Sequence, residues 1–214
     1  DEANSSTATA IFNVWVTFLV ENTLNDEGIS IGDHFRVRLL LHMMESPETL
    51  ATWDPDMEQS RIWDDQTTES RVEHWTEIHA RSLVQALEWL GGDSGFGTAD
   101  MSSWRWGLLH TLTLPHNVLG SYNIPSPEVH PNGFPRHGDN FSVDASHPGM
   151  TGRNFTYSHG PAVRHVMVME DPVRRYGAIP GGQYEDARVD HYQDQMAFWV
   201  KNEAPLIPWT VEEV

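Results

Sequence analysis

The chain contains no cysteine. This absence excludes disulfide bonds, a thiolate nucleophile and any zinc site with cysteine ligands. It does not indicate a cellular compartment, because many proteins of every compartment lack cysteine.

Apolar runs long enough to cross a bilayer are also missing. A spanning helix needs about 20 consecutive apolar residues, whereas the longest candidate, residues 11–20, is short and contains Asn13 and Thr17. No charged segment precedes it, so we do not interpret it as a signal peptide. We expect no membrane span. If the chain is a part of a longer exported protein, we expect the export signal to lie upstream of this sequence.

Positive charge is scarce. Thirteen basic residues against 31 acidic ones give a net charge of −18, and Lys201 is the only lysine. Nucleic-acid binding is therefore not expected, because phosphate contacts require a positive surface. An acidic surface poor in lysine is typical of proteins that remain hydrated at high salt, and we favour this halophilic interpretation over ordinary acidity.

Aromatic residues are plentiful, with nine Trp, eight Phe and five Tyr, and they predict a packed core. Capping residues and apolar spacing predict helices in the first third of the chain. The first helix is expected to present one apolar face, and the fourth is the most regular. The first predicted helix begins at Ser5–Thr7, and the second spans residues 34–45. The third follows Ser46-Pro47, and the fourth runs from Thr67 or Thr68 to Gly91.

Glycine and proline become frequent after Gly91, and extended segments replace helices. Strands are predicted at residues 108–114, 141–145, 162–170 and 209–214, and one helix at residues 191–201. The expected fold class is therefore α+β. We divide the chain into a helical lobe at residues 1–95 and a strand-rich lobe with one helix at residues 96–214.

Twelve histidines raise the possibility of a metal site. Zinc sites need three or four converging ligands at characteristic spacings, and neither an HExxH motif nor a close histidine pair on one helix face occurs. We therefore predict no metal and no cofactor. The candidate ligands are dispersed: His74 and His79 are expected on different faces of the fourth helix, His110 and His116 around a strand, and His130, His137 and His147 in loops.

Acidic residues could in principle supply a general acid and base, as in a glycosidase. Asp139, Asp144 and Asp171 are the candidates for this role, but neighbouring carboxylates are expected by chance in so acidic a chain. Arg164 precedes an apolar strand, and we interpret it as a buried ion-pair partner.

Trp104, Arg105 and Trp106 favour core packing with the arginine beside the rings, and the wall of a ligand pocket is the alternative. His110 is interpreted as a hydrogen-bonded structural residue, with a catalytic base as the alternative.

Four segments of the second half resemble the penicillin acylase family of N-terminal-nucleophile hydrolases. They occur in the order found near the C-terminus of the family's large (beta) subunit. The segments are Trp104–His110, Phe134–Asp139, Gly160–Arg164, and Ile179–Gln183 followed by His191–Gln195 and Trp199.

The resemblance implies an enzyme that hydrolyses acyl amides, such as penicillins or acyl-homoserine lactones. In this family a serine exposed by self-cleavage attacks the carbonyl, and its own α-amino group assists as a base. The strand-rich part would complete a portion of an αββα sandwich. The resemblance also suggests an exported protein, periplasmic or extracellular.

The start of the chain departs from the family pattern. Asp1 cannot act as the serine, a Ser-Asn-x-Trp-like start is missing, and Trp104 lies too close to the start. We therefore expect a C-terminal fragment of the large subunit that is inactive alone. No catalytic residue or metal ligand is transferred to it, and its substrate-binding residues stay unknown.

The expected partners are the remainder of the precursor, namely the small subunit and the N-terminal part of the large subunit, with an acyl-amide substrate in the intact enzyme. Exposed strand edges predict self-association. The first alternative is a structural or interaction module without chemistry. The second is an unrelated metal-dependent hydrolase.

The charge imbalance predicts a salt-dependent stability. At low salt the acidic surface repels itself, and salt screens this repulsion. We expect the melting temperature, followed by circular dichroism, to rise between low salt and molar salt. A melting temperature that stays constant over this range would contradict the halophilic interpretation.

Overall fold

The computed structural model describes residues 5–29, 31–115, 132–149 and 152–208. The chain forms two compact units. The first comprises Asp1–Leu109 with Pro148–Thr156, and the second comprises His110–His147 with Tyr157–Val214. The division into lobes at residue 95 stays a prediction.

The described elements are mostly short, apart from three helices. The α-helices are α1 (Thr7–Leu24), α2 (Asp33–Glu45), α3 (Trp75–Gly91), α4 (Trp106–Leu109) and α5 (Met196–Val200). The strands are β1 (Trp53–Asp54), β2 (Gln59–Ser60), β3 (Thr111–Leu112), β4 (Phe134–Pro135), β5 (His147–Pro148), β6 (Tyr157–His159), β7 (Arg164–Val168) and β8 (Arg174–Ala178). Short 3₁₀ helices occupy Pro47–Thr49, Arg61–Trp63, Met101–Ser103 and Asp190–Tyr192.

The strands pair two by two, and the three pairs with a described register are antiparallel. β1 pairs with β2, β3 with β4, and β7 with β8. The mixture of helices and antiparallel strands confirms the predicted α+β class. Among the described helices, none is both long and apolar enough to span a membrane.

Helix α1 begins where its capping residues predict. Ser6 is the N-cap, and its Oγ accepts a hydrogen bond from the Thr9 amide at 3.1 Å, which satisfies one of the free N–H groups of the first turn. The helix ends at Leu24, with Asn25 as its C-cap. Helix α2 likewise matches its predicted range within one residue.

The expectation of one apolar face on α1 is wrong, because two hydrophobic clusters pack on it. Val16, Leu19, Val20 and Leu24 join one cluster with α2, the 3₁₀ helix at Arg61–Trp63 and α3. Residues on another side of the same helix, mostly nearer its N-terminus, join a second cluster with α3 and α4. The α1 members of that cluster are Ala10, Val14 and Phe18.

The predicted start of α3 is wrong by about two turns. The helix begins at Trp75, after the N-cap His74. Residues 67–73 form a loop because the buried carboxylate of Glu73 accepts the amide of Asp65 at 3.2 Å and the hydroxyl of Thr68 at 2.7 Å. Such local side-chain hydrogen bonds compete with those of a helix.

Several predictions in the second unit need correction. The strand expected at residues 108–114 is reduced to β3, preceded by α4. Residues 141–144 bend instead of extending, because Asp139 Oδ1 accepts the amides of both Phe141 and Ser142 at 2.8 Å. The helix expected at residues 191–201 is interrupted between its 3₁₀ turn and α5. The strand expected at residues 162–170 is confirmed as β7, and residues 209–214 lie outside the described ranges.

Buried and exposed valines on helices provide a matched test of this packing. Val20 in α1 is fully buried, whereas Val84 in α3 is 54% exposed. Val20→Ala should lower the free energy of unfolding by about 2 kcal/mol, because it leaves a cavity in the core. Val84→Ala should change it by less than about 0.5 kcal/mol. Urea denaturation measures both, and equal effects would contradict the assigned core.

Candidate functional site

The carboxylate of Asp144 is the centre of a polar cluster in the second unit. Arg136 Nη2 donates to its Oδ2 at 2.9 Å, and Arg164 Nη2 donates to its Oδ1 at 3.1 Å. His137 Nε2 lies 2.8 Å from Oδ2, and Asn202 Nδ2 donates to the same oxygen at 3.3 Å. Four side chains thus converge on one largely buried carboxylate.

The backbone that follows β4 positions Arg136 and His137 beside Asp144. Arg136 follows β4, and its amide donates to the carbonyl of His110 at 2.8 Å. Gly138 turns the chain immediately afterwards with φ of +84°. A Cβ at Gly138 would lie 2.2 Å from the carbonyl oxygen of Asp144, so no other residue fits this turn. The glycine therefore lets the 136–138 segment and Asp144 approach closely.

Trp199 on α5 provides the apolar side of the cluster. Its ring is buried, and the guanidinium carbons of Arg136 and Arg164 each lie 4.8 Å from the ring centroid. At this distance a desolvated cation is attracted to the ring face. The ring of Tyr157 packs edge-on against Trp199, with centroids 6.1 Å apart.

The same arginines also donate hydrogen bonds to carbonyl groups at the C-terminal end of α5. Arg164 Nε donates to the carbonyl of Trp199 at 3.0 Å, and Arg136 Nη1 donates to the carbonyl of Val200 at 2.6 Å. The last carbonyls of a helix have no partner within the helix. Cationic donors there are favourable for this reason and for the helix dipole.

The electrostatics of the cluster keep Asp144 ionised. Burial by itself would raise the pKa of Asp144, but the hydrogen bond from His137 and the charges of Arg136 and Arg164 outweigh burial and hold the pKa well below its usual range. Burial lowers the pKa of the Arg136 guanidinium, and Asp144 opposes this effect. Burial raises the pKa of Tyr157. Asp144 therefore acts as a fixed anion and not as a proton donor.

Three of the four segments that carry the family resemblance meet in this cluster. Arg136 and His137 belong to the second segment, Arg164 to the third and Trp199 to the fourth. Arg164 forms the predicted ion pair, with Asp144 as its partner, but its side chain is 17% exposed and therefore only partly buried.

The first segment lies mostly in the other unit. Trp104 and Trp106 are buried in its core, where Trp106 packs against Phe155 with centroids 6.0 Å apart. The core-packing interpretation of both rings is therefore confirmed. Arg105 donates from Nη1 to the carbonyl of Trp104 at 2.8 Å. His110, in the second unit, is buried 6.1 Å from the ring of Tyr157, as a structural residue would be.

The acidic residues considered for acid–base chemistry have separate roles. Asp139 shapes the turn after Gly138, and Asp144 is held in ion pairs. Asp171 lies in the connection between β7 and β8. This arrangement does not resemble the carboxyl pair of a glycosidase, in which one member must carry a proton.

The histidines are likewise dispersed. His74 caps α3 and does not lie on it, which corrects the assignment of two faces of that helix. His79 packs among Trp15, Trp63 and Trp75, and burial lowers its pKa. In the ranges that the structure covers, no group of three or more His, Asp or Glu side chains is placed to hold a metal ion. His116 and His130 lie outside these ranges.

The central role of Asp144 was missed by sequence reasoning. Asp144 lies between the second and third segments and belongs to neither, so no motif marks it. A usable signal was the presence of one arginine in each of these segments, in a chain with few basic residues. Buried arginines require an anion, and the nearest candidates were Asp139 and Asp144.

Removing the charge of Asp144 should destabilise the second unit. Asp144→Asn leaves two arginines without their anion, and we expect a loss of about 3 kcal/mol in the free energy of unfolding. Asp186→Asn is the control, because Asp186 pairs with Arg188 at the surface and its loss should have a much smaller effect. Urea denaturation at neutral pH measures both.

The pH dependence of this effect has a defined sign. Asp144 has a lower pKa in the folded chain than in the unfolded chain, so its stabilisation is present above about pH 4 and is lost as the pH falls through the folded-state value. The difference between the wild type and Asp144→Asn should therefore be largest near neutral pH and shrink in acid. A difference that grows in acid would contradict this assignment.

Comparison with known proteins gives two matches to one family. A search of solved structures finds the thermostable penicillin G acylase from Alcaligenes faecalis, at 15% sequence identity and a TM-score of 0.40. The match covers 97% of this chain and 36% of the acylase chain, and no curated protein matches. The family model described as penicillin amidase matches residues 1–214. The match extends over the full sequence, and the chain therefore belongs to the penicillin amidase family.

Proposed function

We propose that this chain is the scaffold-forming C-terminal part of the large subunit of an acyl-amide hydrolase, and that it is inactive alone. The observation that carries this proposal is the Asp144 cluster. Both oxygens of Asp144 and two nitrogens each of Arg136 and Arg164 are engaged in joining β4, β7 and α5. A carboxylate held in this way suits the support of an active site better than catalysis within it.

The exposed apolar side chains of the β7–β8 hairpin favour the proposal that a partner covers this scaffold. Consecutive side chains of β7 are exposed, including Val166, Met167 and Val168. Neighbouring residues of a strand point to opposite sides, so apolar groups are uncovered on both faces. Strands of this composition are typical of sheets that are covered on both faces. We propose that the remainder of the acylase precursor covers this hairpin and completes an αββα sandwich.

The chemistry of the parent enzyme follows from the family. We propose that a serine nucleophile from another part of the polypeptide attacks the amide carbonyl, with its α-amino group as base. The proposed substrates are acyl amides such as penicillins or acyl-homoserine lactones. This chain would supply support and a part of the acyl-pocket wall.

A non-catalytic interaction module is the second candidate. The observation that favours it is the same uncovered hairpin, which would then bind a partner without any hydrolase activity. The uncovered strand also fits self-association, which analytical ultracentrifugation would detect as dimers or larger species.

Complementation tests the scaffold proposal. The chain and the separately expressed upstream part of the precursor, which carries the N-terminal serine, are assayed alone and together on chromogenic phenylacetyl and long-chain acyl amides. We expect hydrolysis only in the mixture. Hydrolysis by this chain alone would contradict the proposal, and a stable complex without hydrolysis would favour the interaction module.

A charge placed on the hairpin tests the docking surface. Met167 and Val84 are 53% and 54% exposed, so glutamate at either position should leave the isolated chain folded. Met167→Glu should reduce the activity of the mixture by about tenfold or more, because it buries an unpaired charge in the interface. Val84→Glu is the matched control and should retain full activity. Equal activities would place the contact elsewhere.

A further inference from the structure

An open pocket of about 690 Å³ lies beside the Asp144 cluster in the second unit. Its volume is in the range of small-molecule sites. Its polar wall includes Arg164, His165 and Asn202 together with Asp144. Its apolar wall includes residues of the loop before β5 and of the start of β7, namely Val143, Ala145, Pro161, Val163 and Val166.

The cluster behind the polar wall carries an excess of positive charge. Arg164 lines the pocket, whereas Arg136 is fully buried behind it. Both arginines pair with the single carboxylate of Asp144, and the low pKa of Asp144 keeps the sum at about one positive charge. Both oxygens of Asp144 already accept hydrogen bonds, so little of its negative charge is available to a ligand. In a chain with a net charge of −18, this is a local site that favours an anion.

Arg164 also retains a free donor at the pocket. Its Nε is bonded to the carbonyl of Trp199 and its Nη2 to Asp144, whereas its Nη1 has no partner among the described residues. Arg164 itself lines the pocket. A guanidinium with one unused edge is suited to bind a carboxylate oxygen.

The apolar wall sets the second requirement for a ligand. Val143 is 106% exposed, and Val163 and Val166 are about half exposed. Exposed apolar side chains beside a cation favour a molecule that has an acidic head and a hydrocarbon tail. A simple inorganic anion would leave these side chains in water.

We propose that this pocket binds a small carboxylate with a short apolar tail, the carboxylate on Arg164 and the tail against Val143, Val163 and Val166. The binding would be non-covalent, with an affinity in the millimolar range. It goes beyond the scaffold role and concerns the isolated chain, in which β7 is uncovered, because Val166 belongs both to this pocket and to the proposed docking surface.

Titration of the isolated chain with hexanoate tests this proposal. Calorimetry measures the affinity, and amide chemical shifts report the location. We expect the shifts to change at residues 163–166, and we expect the neutral methyl ester of hexanoic acid and the cation hexylamine to bind at least about fivefold more weakly. Equal binding of the methyl ester, or the absence of any binding by hexanoate, would overturn the proposal.

A pair of charge variants separates the pocket from the overall charge. Val143→Glu adds a negative charge at the rim of the pocket, and Val84→Glu adds the same charge on α3. Val143→Glu should weaken hexanoate binding by about fivefold, through repulsion of the carboxylate, whereas Val84→Glu should leave it unchanged. An equal loss in both variants would show that only the net charge matters and would overturn the assignment. Neither variant touches the Asp144 hydrogen bonds, and thermal melting verifies their folding.

Discussion

The ion pairs of Asp144 are the constraint on which the second unit depends. One carboxylate holds Arg136, after β4, and Arg164, at the start of β7, although 28 positions separate these arginines in the sequence. Both arginines then contact Trp199 and the carbonyls at the end of α5. Placing these charges out of water is costly, and only a complete set of partners offsets the cost. The cluster therefore favours one arrangement of the three segments and penalises others.

The charge distribution of the chain fits this use of arginine. All but one of the thirteen basic residues are arginines. A guanidinium can bind a carboxylate, a carbonyl and an aromatic face at the same time, which an ammonium group cannot do as well. Arg136 and Arg164 each make all three contacts. Two arginines thus organise the second unit, whereas others, such as Arg61, Arg71 and Arg188, pair with acidic residues at the surface.

Capping patterns predicted the start of α1 well, whereas local side-chain hydrogen bonds that apolar spacing does not register account for the errors at α3 and at residues 141–144. Ser6 marked the start of α1 because N-capping acts within a few residues. The start of α3 was placed too early because the buried Glu73 stabilises a loop through hydrogen bonds with Asp65 and Thr68, and helical spacing alone does not reveal such bonds. Asp139 likewise turned an alternating segment into a bend. The family followed from segments in a fixed order, but Asp144 lies outside those segments, so its role emerged only from the packed structure.

A double-mutant cycle between Arg136 and Asp144 tests the central claim most directly. The free energies of unfolding of Arg136→Gln, Asp144→Asn and the double variant are compared with that of the wild type by urea denaturation. If the cluster holds the second unit together, the two substitutions should be strongly non-additive, with a coupling energy of about 2 kcal/mol. Additive effects within about 0.5 kcal/mol would show that the ion pair is incidental and would contradict the account.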